Sequence, residues 1–251
     1  MLNGNRQHQK LFSITTPRPD LDRANTDSGH VKSKKSILLK KLLETNRPSI
    51  CLGMFGTNKR CSYLVLMKDR LESDACYHIF NQANGMIDIF KESRNYPFFI
   101  DKMEKHLTPV CEILAFCLMK NHFHLVIKTR EIEESKISEA FANLFIGYEK
   151  PYNETYDRSG NLFEKPFKRK LIESETYLKN VILYIHCSAV KEGFVEDIIS
   201  YPWSSYHDIL DDVPTFVERN FILELFDDST NFVAAHKAYQ LHTSFTPTFE
   251  Q

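Results

Sequence analysis

The sequence is short of glycine, with 8 in 251 residues. It contains no low-complexity tract and no fixed-period repeat, which excludes a solenoid. Its six cysteines include no C-x-x-C pair and no zinc-ligand spacing. Several of them sit in apolar surroundings, as in Ile113-Leu-Ala-Phe-Cys117, and read as buried, reduced thiols of a cytosolic protein. No apolar run approaches the ~20 residues of a membrane-crossing helix. The opening Met1-Leu-Asn-Gly-Asn-Arg6 lacks the apolar stretch of a signal peptide. The expectation is a soluble, cytoplasmic protein with no membrane association. Net charge is nearly absent too, at −1, so the chain as a whole is not a basic nucleic-acid binder, although a neutral total can hide a basic surface.

What is present points to a folded core: 42% of residues are hydrophobic and 26% charged. Residues 1 to about 30 are polar and broken by Thr16-Pro-Arg-Pro-Asp20 and Asn25-Thr-Asp-Ser-Gly29, and read as disordered. A short basic helix over 36–44 and a strand over 63–67 are weaker expectations. From residue 75 the pattern sharpens. Cys76 to Gln82 has the residue types of a strand and runs into the turn signal Ala83-Asn-Gly85. Helical spacing of Phe98, Phe99, Met103 and Leu107 predicts a helix over 97–107. Residues 112–129 form a long apolar strand region that a break at Lys120-Asn121 would fold into a hairpin. A helix is expected over 135–148 with Ser135 as its N-cap, a strand over 165–173, and a helix from Ser174 to about His186. Two further helices are expected over 216–226 and 232–240. This order predicts an α+β domain: an antiparallel sheet with helices on one face. The boundaries that follow are an extension at 1–74, a catalytic domain at 75–210 and a helical tail at 211–251.

His122-Phe-His124 carries the first chemical content. On a strand, positions i and i+2 share a face, so the two imidazoles stand together while Phe123 packs the other way. Imidazole pairs bind divalent ions, but such a pair is commonly just two strand histidines. Apolar runs on both sides place this strand deep in the sheet, where imidazoles need partners or a metal. Tyr177 and Tyr184 lie seven residues apart on one helix face, followed by Ser188 one turn later. A phenol has an ordinary pKa near 10, so its attack on a phosphate needs a metal or nearby positive charge.

Five stretches in fixed order then carry a resemblance. They are Tyr77-His-Ile-Phe-Asn-Gln82, the run Glu112 to Ile127 with its His-Phe-His, Gly160-Asn-Leu-Phe-Glu-Lys-Pro-Phe-Lys-Arg-Lys170, Tyr177 to His186, and Tyr201-Pro-Trp-Ser-Ser-Tyr206. Together they resemble the single-tyrosine HUH transposases, which include insertion-sequence enzymes and the REP-associated tyrosine transposases of bacteria. The resemblance implies a ferredoxin-like or RRM-like sheet with the histidines on a central strand. It implies Tyr184 as nucleophile, with His122, His124 and Ser188 in the places of the ligands for Mg2+ or Mn2+. The expected activity is cleavage and rejoining of single-stranded DNA, often folded as a hairpin, through a 5′-phosphotyrosine. Both monomers and dimers occur in the family, so a homodimer is among the expected states.

Three positions depart from the family pattern. Ser188 replaces the asparagine that completes the metal site, Lys120 stands for a proline, and Gln82 for a common arginine. These leave open a relative that binds hairpin DNA without cutting it, or a metal-dependent hydrolase of another class. The expected DNA contacts are Lys165, Lys168, Arg169, Lys170 and Asn121, with only alternate members of the basic run facing the groove. Phe163 and Phe167 are candidates to stack on bases, although a core role is favoured.

Overall fold

A computed structural model describes residues 70–242 and residue 247. The expectations for residues 1–69, including the helix over 36–44 and the strand over 63–67, lie outside the described residues, as do Cys51 and Cys61. The other four cysteines are free and buried, as expected, and burial pushes the Cys76 thiol up to about 12.

Four strands form one sheet: β1 (Cys76–Gln82), β2 (Cys111–Leu118), β3 (His122–Thr129) and β4 (Lys168–Ile172). Their order is β2-β3-β1-β4, every neighbouring pair antiparallel. Helix α1 (Asn95–Leu107) joins β1 to β2, and α2 (Glu134–Thr155) joins β3 to β4. The sequence β-α-β-β-α-β with this order is the ferredoxin-like arrangement, so the α+β expectation holds. The break at Lys120-Asn121 does fold the long apolar region into the β2–β3 hairpin, closed by Met119 N–H donating to the His122 carbonyl at 2.8 Å.

Alternation then assigns the faces. Tyr77 and Ile79 of β1 and Phe123, Leu125 and Ile127 of β3 are fully buried. Phe123 meets Phe99 of α1 at 5.2 Å between ring centroids and Phe145 of α2 at 6.2 Å, so α1 and α2 cover this face. Each such side chain taken from water contributes roughly 1.5–3 kcal/mol. The second helix continues past the expected end at Tyr148 to Thr155, through Pro151. Pro151 withholds one backbone donor. The flanking Tyr148 and Tyr152 hydroxyls donate to the carbonyls of Ile89 and Asp88 and anchor the turn that the proline weakens. Ser135 is not the cap: the N-cap residue is Glu133, and Ser135 sits in the first turn with its hydroxyl 3.3 Å from a Glu133 carboxylate oxygen.

The opposite face is covered by α3 (Glu175–Lys191), capped by Ser174, whose Oγ accepts from Tyr177 N–H. Helix α3 runs one turn beyond its expected end. The segment Tyr201 to Tyr206 lies along the free edge of β2. Leu118 N–H donates to the Trp203 carbonyl at 2.9 Å and Ser205 N–H to the Phe116 carbonyl at 3.0 Å. Bare sheet edges invite pairing with other chains, and this segment satisfies the edge instead. Three helices follow, α4 (Tyr206–Leu210), α5 (Arg219–Leu225) and α6 (Ser229–His242). Ile222, Leu225, Phe232 and Tyr239 bury into the same continuous core.

A buried polar thread ties the last helix to the sheet. His236 Nδ1 lies 2.7 Å from the Phe232 carbonyl, His236 Nε2 2.9 Å from His186 Nδ1, and His186 Nε2 2.8 Å from Ser205 Oγ. Burial holds both imidazoles below their ordinary pKa, His236 at about 4, so both are neutral at pH 7. The Phe232 carbonyl can only accept, which directs every proton in the thread: His236 donates to it, His186 donates to His236, and Ser205 donates to His186. Ser205 Oγ in turn accepts from Phe116 N–H at 2.8 Å.

Two outcomes follow. Ser205→Ala strands the His186 nitrogen and the Phe116 N–H, and should cost about 1–3 kcal/mol in urea unfolding; an unchanged midpoint would show that the thread contributes nothing. The pH dependence has a defined sign. Below the ordinary imidazole pKa of 6.5 the unfolded chain takes up protons that buried His236 refuses until about 4. Stability is therefore complete above pH 6.5 and declines between pH 6.5 and 4 by roughly 1.4 kcal/mol per pH unit for each such group. Urea midpoints at pH 7.5 and 5.5 check this, and His236→Asn should reduce the difference by that one group's share, about 1.4 kcal/mol, leaving the shares of the other buried imidazoles.

Candidate active site

The face of the sheet beneath α3 is where the polar side chains gather. In β3 it carries His122 and His124; in β1, across from them, His78 and Phe80; in β4, Lys168 and Lys170. Register requires this grouping, because directly paired residues share a face: Phe80 pairs with both His124 and Lys168, and His78 pairs with Lys170. His122 and His124 stand side by side as the spacing predicts, with ring centroids 5.1 Å apart, and Phe123 packs on the far side.

His124 is 3% exposed. Burial first, then the neighbouring His78 and His122, drives its pKa well below the ordinary value, so its imidazole is neutral. Its Nδ1 lies 3.1 Å from Nε2 of His78, another buried ring. Burial brings His78 down to about 3. His122 is half-buried: its Nδ1 donates to Asn121 Oδ1 at 2.8 Å, and its Nε2 stands 3.1 Å from Glu192 Oε1. Neither His78 nor Glu192 stood out in sequence. His78 lies in a stretch that resembles the family's first strand, and Glu192 falls two turns after Tyr184, so helical spacing from the tyrosine was the signal available for it.

Tyr184 is the residue that α3 lays over this pair. Its half-buried ring meets His124 edge-on at 5.7 Å between centroids and His78 at 6.4 Å. One chain therefore contributes both the phenol and the imidazoles. Ser188 is buried one turn on, and its hydroxyl donates to the Tyr184 carbonyl at 2.9 Å, a bond that helical serines often make to the preceding turn. Tyr177 starts the same helix and is partly buried.

The basic run divides as alternation requires. Lys168 lies over Phe80 at 4.9 Å, on the imidazole face, and Lys170 shares that face by register. Arg169 points the other way, stacked on Phe167 at 5.5 Å and 3.7 Å from Glu134. Lys165 is exposed in the loop before β4, its Nζ donating to Asn161 Oδ1 at 2.9 Å. Phe163 is fully buried against Phe145 and Phe99, and Phe167 packs on Phe141 at 4.7 Å; both belong to the core rather than to a stacking surface. Asn121 is exposed beside His122.

Among the described residues, no group of three His, Cys, Asp or Glu side chains is gathered as a bound metal ion would need. The donors present suit a divalent cation in kind, with a neutral imidazole at His124, a second ring at His122 and a carboxylate against that ring. In number, the set is incomplete. Among the same residues, no helix is long and apolar enough to cross a membrane.

No family model matches the chain. A putative REP-associated tyrosine transposase of Haemophilus influenzae is 23% identical over 154 residues, covering 58% of this chain and 78% of that protein. Among solved structures, that of a REP-associated tyrosine transposase bound to a REP hairpin aligns with 64% of this chain and 90% of its own, at 16% identity and a TM-score of 0.47. A bacterial tRNA(His) guanylyltransferase-like protein in complex with GTP aligns with 51% of this chain and 67% of its own, at 10% identity and a TM-score of 0.39. In sequence, this chain resembles the REP-associated tyrosine transposases, as its ordered motifs imply.

Proposed function

We propose that this chain cuts and rejoins single-stranded DNA through a 5′-phosphotyrosine formed on Tyr184. The observation that supports this reading is the placement of the Tyr184 ring against His124 within one chain, 5.7 Å between centroids. The ordered motifs and the transposase relative add to it. In the reaction, the phenolic oxygen forms a bond to phosphorus as the bond to the 3′ oxygen breaks. The phenol gives up its proton and the departing 3′ oxygen takes one up. The 5′ phosphate stays on Tyr184, and attack by a free 3′-OH reverses the step without an external energy source.

The residues divide the work. His122 and His124 would hold Mg2+ or Mn2+, which supplies Lewis-acid polarisation of the phosphate when bound. His78, beside His124 on the same face, fixes its ring. If the His78 Nε2 accepts the His124 Nδ1 proton, that bond fixes the His124 tautomer in which its own Nε2 carries no proton, the form a metal ligand needs. Lys168 and Lys170, on the same face, would meet the DNA backbone, with Lys165 and Asn121 at the margin. Arg169 would act from the other face, through Phe167 and Glu134, on the shape of β4. The substrate class is single-stranded DNA carrying a hairpin.

A second reading rests on one observation. Ser188 stands where the family has asparagine, and its proton is committed to the Tyr184 carbonyl. On this reading the chain binds hairpin DNA without cutting it.

One assay separates the readings. A labelled hairpin oligonucleotide is incubated with the protein and Mn2+ and run on a denaturing gel. Strand transfer predicts a covalent protein–DNA band that vanishes with Tyr184→Phe and with EDTA. Retarded DNA on a native gel with no covalent band would establish the binding-only reading. Cleavage that persists in Tyr184→Phe would instead point to a hydrolase and overturn both.

Loss of the imidazole pair gives an independent check. His124→Ala should lower the rate of adduct formation by at least a hundredfold, as loss of a metal ligand does, while hairpin affinity changes little. An undiminished rate would remove His124 from the mechanism.

A further inference from the structure

Helix α3 ends on Lys191, two turns beyond Tyr184. Its ammonium lies over the Tyr184 ring, 5.0 Å from the centroid, and over the ring of Tyr239 in α6, 4.6 Å from the centroid. It also donates to the Tyr239 hydroxyl at 3.2 Å. Tyr239 is buried, whereas Lys191 itself is exposed. A lysine stem is long and flexible and its charge strongly hydrated. Here two aromatic faces and one hydroxyl hold the ammonium of a residue that is exposed as a whole. Glu192, the adjacent acidic residue, is directed at His122 instead.

We propose that Lys191 binds the scissile phosphate beside Tyr184, and that Tyr239 is the positioning residue that holds its ammonium there. The inference rests on the strand-transfer reading of Tyr184. It extends that site to the last helix, which lies beyond Tyr206, the end of the family-like motifs. The chemistry recognised is a phosphodiester anion. Phosphoryl transfer spreads negative charge over the equatorial oxygens, and a fixed cation stabilises that charge most where it needs no reorganisation. A lysine confined by ring faces meets this requirement better than Lys168 or Lys170, which lie on β4 and not on the helix that carries the phenol. The bland alternative is that Lys191 only complements the carbonyl end of its helix and fills space against Tyr239. That role would change the melting temperature and leave the kinetics alone.

The test uses the full chain, a hairpin oligonucleotide with a single-stranded tail, and Mn2+. Single-turnover adduct formation is followed at saturating DNA for K191Q, K191R and Y239F, each checked for native circular dichroism. K191Q should slow the reaction tenfold or more, K191R should recover most of the rate, and Y239F should slow it severalfold. In parallel, hairpin affinity is measured against salt without metal. Loss of one phosphate contact should lower the slope of log K against log salt in K191Q by about 0.7–0.9. A wild-type rate in K191Q, or an unchanged salt slope, overturns the proposal. Should the native chain form no adduct, the strand-transfer reading fails by itself. The salt slope then still decides whether Lys191 meets a phosphate, and Y239F, which keeps the ring, shows whether the hydroxyl directs it.

Discussion

The pairing register of β3 is the constraint on which the rest of the structure depends. Its side chains alternate between a dry face of Phe123, Leu125 and Ile127 and a chemical face of His122 and His124. Strand periodicity is two, so a slip of one residue would put both imidazoles among the rings of α1 and α2 and expel three large apolar groups. The hairpin to β2 and the central pairing with β1 hold that register from both sides. The same register brings His78 beside His124 on one face, with Lys168 opposite Phe80 and Lys170 opposite His78. The candidate site is thus a by-product of the packing that makes the sheet stable.

Helix α3 converts this face into a site by laying a phenol on it, and the remaining elements hold α3 in place. Buried polar groups in such a position must find partners, and the Ser205–His186–His236 thread shows how this chain does so. Its protons are directed by one backbone carbonyl, and it spans the β2 edge, α3 and α6. The motif Tyr201-Pro-Trp-Ser-Ser-Tyr206 thereby gains a physical reason: its backbone caps a sheet edge, Ser205 joins the thread, and Trp203 stacks on Tyr96 of α1 at 4.4 Å. None of its side chains needs to touch DNA for the motif to matter.

Much of this could be read before any coordinates. The four strands, the two covering helices, the start of α3 at Ser174 and the shared face of His122 and His124 all follow from periodicity and turn chemistry over a few residues. The errors were local competitions of the same kind. Ser135 lost the cap position to Glu133, whose extended backbone starts the helix. The end of α2 moved past Pro151 because two tyrosine hydroxyls anchor the flanking turns. The favoured core role of Phe163 and Phe167, by contrast, holds, because their rings gain more from burial than from a surface position.

The sequence by itself determined which residues share a face, because that depends on neighbours two, three or four positions away. Only the tertiary structure decided which faces meet. His78 reaches His124 across 46 residues, His186 meets His236 across 50, and Lys191 meets Tyr239 across 48. Those contacts depend on sheet register and helix docking, which no short window encodes. Likewise Ser188 could be assigned to a ligand place by resemblance alone, but the direction of its hydroxyl and the approach of Glu192 to His122 are consequences of where α3 lies on the sheet.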